Sequence, residues 1–118
     1  MTDFLHKKCV PCEGGVDPLT KAKAEEYLGL VPGWVLAQDV KHISRELEFK
    51  DFVSAMVFIN ELAKLAEAEG HHPDIHLTSW NHVQVVLWTH AIGGLSDNDF
   101  ILAAKANQIL SAHPELTA

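Results

Sequence analysis

"HISRELEFKDFVSAMVFINELAKLAEAEG", residues 42–70, decides the fold. Its opening stretch alternates. Ile43, Arg45, Leu47 and Phe49 share one parity; Ser44, Glu46 and Glu48 share the other. Such alternation belongs to a strand of a half-exposed antiparallel sheet. After Asp51, an N-cap candidate, the period lengthens. Phe52, Met56, Ile59, Ala63 and Ala66 then fall on one helical face, and Gly70 stops the helix. Val53, Val57 and Leu65 widen the apolar stripe beyond what one sheet contact requires. That width suits either a well-buried helix or one that also packs in an oligomer.

Upstream, "WVLAQ" (34–38) reads as a preceding strand, joined to 42–49 by the turn residues "DVK". "VPGW" (31–34) is a turn. "PLTKAKAEEYLGL" predicts a short amphipathic helix with Thr20 as N-cap, marked by Ala22, Ala24, Tyr27 and Leu28. Residues 1–18, rich in Gly, Pro, Cys and charge, are expected to form an irregular arm, and residues 19–118 the domain proper.

Downstream, residues 71–80 are expected to be extended or looped, because Pro73 disfavours helix at His72. "HVQVVLWTH" (82–90) reads as a strand. Val83, Val85, Leu87 and Thr89 take one face; His82, Gln84, Val86, Trp88 and His90 take the other. Ser96 caps the helix in "LSDNDFILAAKANQIL", with Asp99 three residues later as an acidic capping box. The order α-β-β-α-(β)-β-α predicts a single small α+β domain, an antiparallel sheet with helices on one face.

Bulk properties narrow the function classes. The 118 residues are the size of one domain, 47% hydrophobic, with a formal net charge of −7. That charge argues against a nucleic-acid surface, which needs a basic patch. No stretch approaches the roughly 20 apolar residues of a membrane span. The N-terminus lacks the apolar core of a signal peptide, so the expected location is cytoplasmic, with Cys9 and Cys12 reduced.

The chemistry concentrates in "EGHHPDIHLTSWN" (69–81), which crowds His71, His72 and His76 beside Asp74. Adjacent residues of an extended segment point apart, so His71 and His72 serve one site only if the chain curls around it. His90 closes the long strand beside a glycine-containing loop. A helix C-terminus and a strand end converging there would make a cleft walled by imidazoles. Glu67, one turn before His71, is placed to orient an imidazole or to bond a substrate N–H. Imidazole donates or accepts near neutral pH, so the group suits a reaction that moves protons without a strong nucleophile. Surface or capping histidines are the plainer reading. His71, His72, His76 and Asp74 are also ligand types, but their spacing matches no metal motif, and HExxH needs a continuous helix. Cys9 and Cys12 form C-x-x-C with no second pair. They are two incidental thiols or a zinc knuckle completed by His6 or another chain. Trp88 shares a face with His90 and either packs in the core or walls a flat ligand. No nucleophile elbow and no phosphate-cradling glycine loop is present.

Taken together, Arg45, Leu47, Phe49, Asp51 and Phe52 (R-x-L-x-F-x-D-F), Ala66, Glu67, His71, His72, Pro73 and Asp74 (A-E-x-x-x-H-H-P-D), Thr89 and His90, and Gly94, Leu95, Ser96 and Asp99 (G-L-S-x-x-D) resemble the pterin-4a-carbinolamine dehydratase family. The likeness spans roughly residues 20–112, and "CVPCEGG" resembles an arm of bacterial-type members. It implies a four-stranded antiparallel sheet with helices on one face, assembled as a homodimer or homotetramer. It implies dehydration of 4a-hydroxytetrahydrobiopterin, or a related pterin, to the quinonoid dihydropterin. That step would serve tetrahydropterin recycling for an aromatic amino-acid hydroxylase such as phenylalanine hydroxylase, with no metal or organic cofactor. His71, His72 and His90 match the family's active-site histidines. Glu67, Asp74, Trp88 and Asp99 are the candidate substrate-side residues. Gly70 stands where the family often carries an acid. Animal relatives also bind a transcription factor through a helical surface, so the 51–69 helix is the alternative site of function.

Overall fold

A computed structural model of the chain describes residues 3–10 and 16–118. In chain order the elements are α1 (Lys21–Leu28), β1 (Val35–Leu36), β2 (Ile43–Glu48), α2 (Phe52–Glu69), β3 (Asp74–Thr78), β4 (His82–Leu87) and α3 (Asp97–Ala112). Short 3-10 turns lie at Phe4–His6, His90–Ile92 and Pro114–Leu116. The order matches the expected α-β-β-α-β-β-α.

The four strands form one antiparallel sheet in the order β1-β2-β4-β3. β4 returns between β2 and β3, so its two neighbours satisfy both its edges. The alternation read from the sequence sets which face is covered. Ile43 and Leu47 of β2 and Val83, Val85 and Leu87 of β4 are buried, while Glu46 and Glu48 are exposed. Phe49, Phe58, Leu62, Leu95, Phe100 and Leu102 complete the core between sheet and helices.

The helix ends follow the expected capping chemistry. The Lys23 N–H donates to Thr20 Oγ1 (3.2 Å), and the Ser54 N–H donates to Asp51 Oδ1 (2.8 Å). Gly70 ends α2 with φ of 67°, a left-handed backbone that costs glycine little.

Four expectations change. The 38–41 turn consumes part of "WVLAQ", and Val40 adopts φ of 65°, so β1 keeps two residues. The buried stripe of α2 is Ala55, Phe58, Leu62 and Ala66, while Phe52, Val53, Val57 and Ala63 are exposed. The first half of this helix is apolar almost all round, so periodicity alone does not orient it. β4 ends at Leu87: Trp88 leaves the ladder, and Thr89 N–H donates to Gly94 O (2.8 Å). His90 therefore begins a turn rather than closing a strand.

The segment expected to be an irregular arm reaches into the core. Phe4 is buried, edge-on to Tyr27 at 4.8 Å between ring centroids and stacked against Phe100 at 5.8 Å. Cys12, and with it the C-x-x-C pairing, lies outside the described residues.

Candidate active site

Register brings the histidines together. β3 pairs with β4 so that Asp74 lies opposite Val86. His72 stands just before β3 and His90 just after β4, so the antiparallel register puts both at the same end of the sheet. The left-handed turn at Gly70 and the His71 N–H bond to Ala66 O (3.2 Å) curl the chain at the helix end. His71, His72 and His90 thus line one cleft of about 420 Å³, closed by Val10, Gly70, Thr89, Ala91 and Asn98. Such a volume suits a small organic ligand.

Each imidazole has its own support. His71 Nε2 lies 2.6 Å from Asp99 Oδ1, and Asp99 is wholly buried. The other oxygen, Asp99 Oδ2, accepts from Thr89 Oγ1 (2.9 Å) and from the Ser96 N–H (3.0 Å). Thr89 Oγ1 thus donates to Asp99 and accepts from Ser96 Oγ (2.7 Å). The carboxylate accepts a hydrogen bond from His71 Nε2–H, the tautomer that turns Nδ1 toward other partners. His72 Nε2 lies 2.5 Å from Glu67 Oε2 in an exposed pair. His90 stacks on Trp88, with 3.9 Å between ring centroids and 27° between planes. Trp88 is braced in turn, its Nε1–H donating to Asp74 Oδ2 at 3.3 Å.

The expected site residues therefore divide. His71, His72 and His90 reach the cleft. Asp99 is sealed behind His71, and Glu67, Asp74 and Trp88 lie outside the lining, in contact with the imidazoles or with one another. Asp99 and Glu67 bond imidazoles, Trp88 stacks on one, and Asp74 braces Trp88; for Glu67 this is the imidazole-orienting alternative that its spacing offered. His76 lies on β3 opposite Gln84, exposed and outside the cleft lining.

Two cleft residues carry no signal in the sequence. Asn98, buried at the start of α3, accepts from the Val10 N–H (3.0 Å) and donates to the Val10 carbonyl (2.7 Å). This double bond to one backbone unit holds the exposed Val10 side chain as a cleft wall. The adjoining Cys9 N–H donates to Glu69 Oε1 (2.8 Å), and Glu69 Oε2 pairs with Lys105 Nζ (2.8 Å). Burial pushes the Glu69 carboxyl up, but the Lys105 ammonium and the Cys9 N–H outweigh it and hold it below its ordinary value. Burial and the nearby Glu69 push the Cys9 thiol up to about 12. Zinc binds the thiolate, which this setting disfavours. Among the described residues no group of three or more His, Cys, Asp or Glu side chains is placed to hold a metal ion. No helix among them is long and apolar enough to cross a membrane.

Comparison with known proteins supplies the family. The profile described as pterin 4 alpha carbinolamine dehydratase matches residues 17–109. The mitochondrial pterin-4-alpha-carbinolamine dehydratase 2 of Arabidopsis thaliana is 46% identical over 112 residues, 92% of this chain. The chain spans 60% of that relative's length. A relative from Azoarcus sp. (strain BH72), named for the same activity, is 48% identical over 92% of each chain. Among solved structures, a transcriptional coactivator/pterin dehydratase from Brucella melitensis aligns with a TM-score of 0.73 and 34% identity. That alignment covers 79% of this chain and 98% of the other. A pterin dehydratase-like RuBisCO assembly factor of the alpha-carboxysome shares the fold, with a TM-score of 0.56 at 19% identity, over 65% of this chain and 88% of that one. With the family profile matched over residues 17–109 and relatives 46–48% identical over most of its length, the chain belongs to the pterin 4 alpha carbinolamine dehydratase family.

Proposed function

We propose that the chain dehydrates a 4a-hydroxytetrahydropterin, such as 4a-hydroxytetrahydrobiopterin, to the quinonoid dihydropterin and water. The observation that carries the reading is the convergence of His71, His72 and His90 on one cleft, from two chain segments far apart in sequence. The C4a hydroxyl is a poor leaving group as hydroxide, so an acid must protonate it as the C4a–O bond breaks. The N5–H proton passes to a base, and its bonding pair becomes the second N5–C4a bond. One proton is given and one taken, so the elimination balances without an oxidant or reductant. Each positioned acid or base typically contributes about 10²–10⁴-fold.

The two proton transfers are assigned to His71 and His90, and His72 holds the substrate. Buried Asp99 orients His71, and the Trp88 stack orients His90. His72 is exposed and pairs with a still more exposed Glu67, which suits a binding role. A 4a-hydroxypterin arises when a monooxygenase uses the tetrahydropterin, so the reaction belongs to recycling after an aromatic amino-acid hydroxylase. The test is ultraviolet absorbance of a 4a-hydroxytetrahydropterin with and without the chain. Acceleration over spontaneous dehydration is expected, with kcat lost in His71→Ala and His90→Ala and mainly KM changed in His72→Ala. If His72→Ala collapses kcat while His71→Ala leaves it intact, the assignment is reversed.

A second property rests on α2. Its exposed Phe52, Val53 and Val57, with the free edge of β3, suit self-association into a homodimer or homotetramer. Sedimentation of the wild type against Val53→Glu tests this, with a smaller species expected for the variant. A coactivator-like interaction through the same helix is the alternative function, and a chain with no dehydratase activity but a stable heteromeric partner would favour it.

A further inference from the structure

Arg45 places a charge on the core-facing parity of β2, between buried Ile43 and Leu47. Arg45 lines a cavity of about 670 Å³, between β2, the turn at residues 30–33 and the C-terminal half of α3. Leu5, Leu30, Leu47 and Leu110 supply apolar wall, and no lining residue is shared with the histidine cleft.

The arginine is seated but not neutralised. Nη1 donates to Pro32 O (3.3 Å) and to Asn107 Oδ1 (2.6 Å). Both acceptors are neutral, and the Asn107 amide oxygen is already shared. Its Oδ1 also accepts from Trp34 Nε1 (2.9 Å), and its Nδ2 donates to Pro32 O (2.9 Å). Among the described residues no carboxylate pairs with the guanidinium, and Nε–H and Nη2–H find no protein acceptor and stay open to solvent. Desolvation lowers the Arg45 pKa from its ordinary value, with no compensating charge.

Gly33 leaves room for the guanidinium. Its φ is 89°, and a Cβ there would meet Arg45 Cζ at 2.7 Å. Only a residue without a side chain lets the guanidinium lie where it does. A half-buried cation lacking an anion costs free energy that a bound anion would recover. The two donor groups left over, Nε–H and Nη2–H, form one side of the planar fork that grips a carboxylate bidentately. The apolar walls call for an apolar body, and the net charge of −7 disfavours a multiply charged anion such as phosphate. We propose that this cavity binds a small-molecule monocarboxylate with an apolar body, its carboxylate held by Arg45 Nε and Nη2.

The test is an NMR titration of the full chain with hexanoate, and with hexanamide as the neutral analogue. Hexanoate should shift the Arg45 Nε–H and the Leu30 and Leu110 methyls saturably. It should leave the ring resonances of His71, His72 and His90 unmoved, and hexanamide should bind at least about tenfold more weakly. Arg45→Met should abolish the saturable shifts. Leu30→Glu, at the exposed rim, should do the same by repulsion without touching Arg45, and it carries the test if circular dichroism shows Arg45→Met unfolded. Equal binding of hexanamide, undiminished binding in Leu30→Glu, or no saturable shift with hexanoate overturns the proposal.

Discussion

Asp99 Oδ1 lies 2.6 Å from His71 Nε2, although the two residues sit on different elements, at the start of α3 and just beyond the end of α2. The same carboxylate receives Thr89 Oγ1 and the Ser96 N–H, so one buried group ties a helix start, a strand exit and an imidazole together. Asp99→Asn keeps the size but not the charge or the acceptor pattern. We expect kcat to fall by roughly 10²-fold with little change in KM, as for loss of an oriented acid–base group. Asp99→Ala should also lower stability by about 1–3 kcal/mol for each buried partner left unpaired. Steady-state kinetics beside urea unfolding separate the two effects, and an unchanged kcat in a folded Asp99→Asn variant would contradict the positioning role.

Trp88 and His90 make the matching pair on the other wall. Trp88→Phe preserves a stacking face but loses the Nε1–H bond to Asp74, and should keep most of the activity. Trp88→Ala removes the face and should reduce kcat by about tenfold, a fraction of the full general acid–base contribution. Equal losses in the two variants would point to the Asp74 bond instead of the stack.

Asn98 is predicted to act through Val10. Asn98→Ala frees both polar groups of the Val10 backbone, so the cleft wall loosens. KM should rise several-fold with kcat nearly unchanged, and hydrogen exchange should quicken at the Val10 amide. A fall in kcat at constant KM would place Asn98 in the chemistry itself.

The Glu69–Lys105 pair gives stability a pH dependence of known sign. Glu69 titrates lower folded than unfolded. Its contribution is therefore complete above the unfolded carboxyl value of about 4.3 and fades as pH falls through the depressed folded value. Urea midpoints of wild type and Glu69→Gln should differ most near neutral pH and converge in acid. A gap that stays constant down to pH 3 would show that the charge of Glu69 is not what matters.

Cys9, with its thiol pushed up to about 12 and its side chain buried, should resist iodoacetamide in the native chain at pH 8. Mass spectrometry of the modified peptide should find Cys9 unlabelled until denaturant is added. Rapid native labelling at this residue would contradict the packing of the arm.

Local chemistry made the elements legible. Period-two alternation marked β2 and β4, strands of a sheet with one dry face, although it runs on to Thr89 while β4 ends at Leu87. The capping groups of Thr20, Asp51, Gly70 and Ser96 stand at the boundaries where the helices begin and end. The buried face of α2 was not legible, because Phe52, Val53, Met56 and Val57 sit beside Ala55 and Phe58, and the one polar residue among them, Ser54, is itself buried. Nor was the part played by Val10, since nothing near Cys9 signals that Asn98, on another element, will clasp its backbone.

The amino-acid order by itself determined the strand and helix succession, the family likeness and the three imidazoles worth testing, because propensity, capping and periodicity act between near neighbours. Tertiary structure decided which carboxylate serves which imidazole: Asp99 for His71, Glu67 for His72, and for His90 an aromatic face instead of an acid. Those pairings depend on the β3–β4 register and on how α3 docks against the end of α2. Both are settled by burying distant apolar residues against one another, which no local pattern encodes.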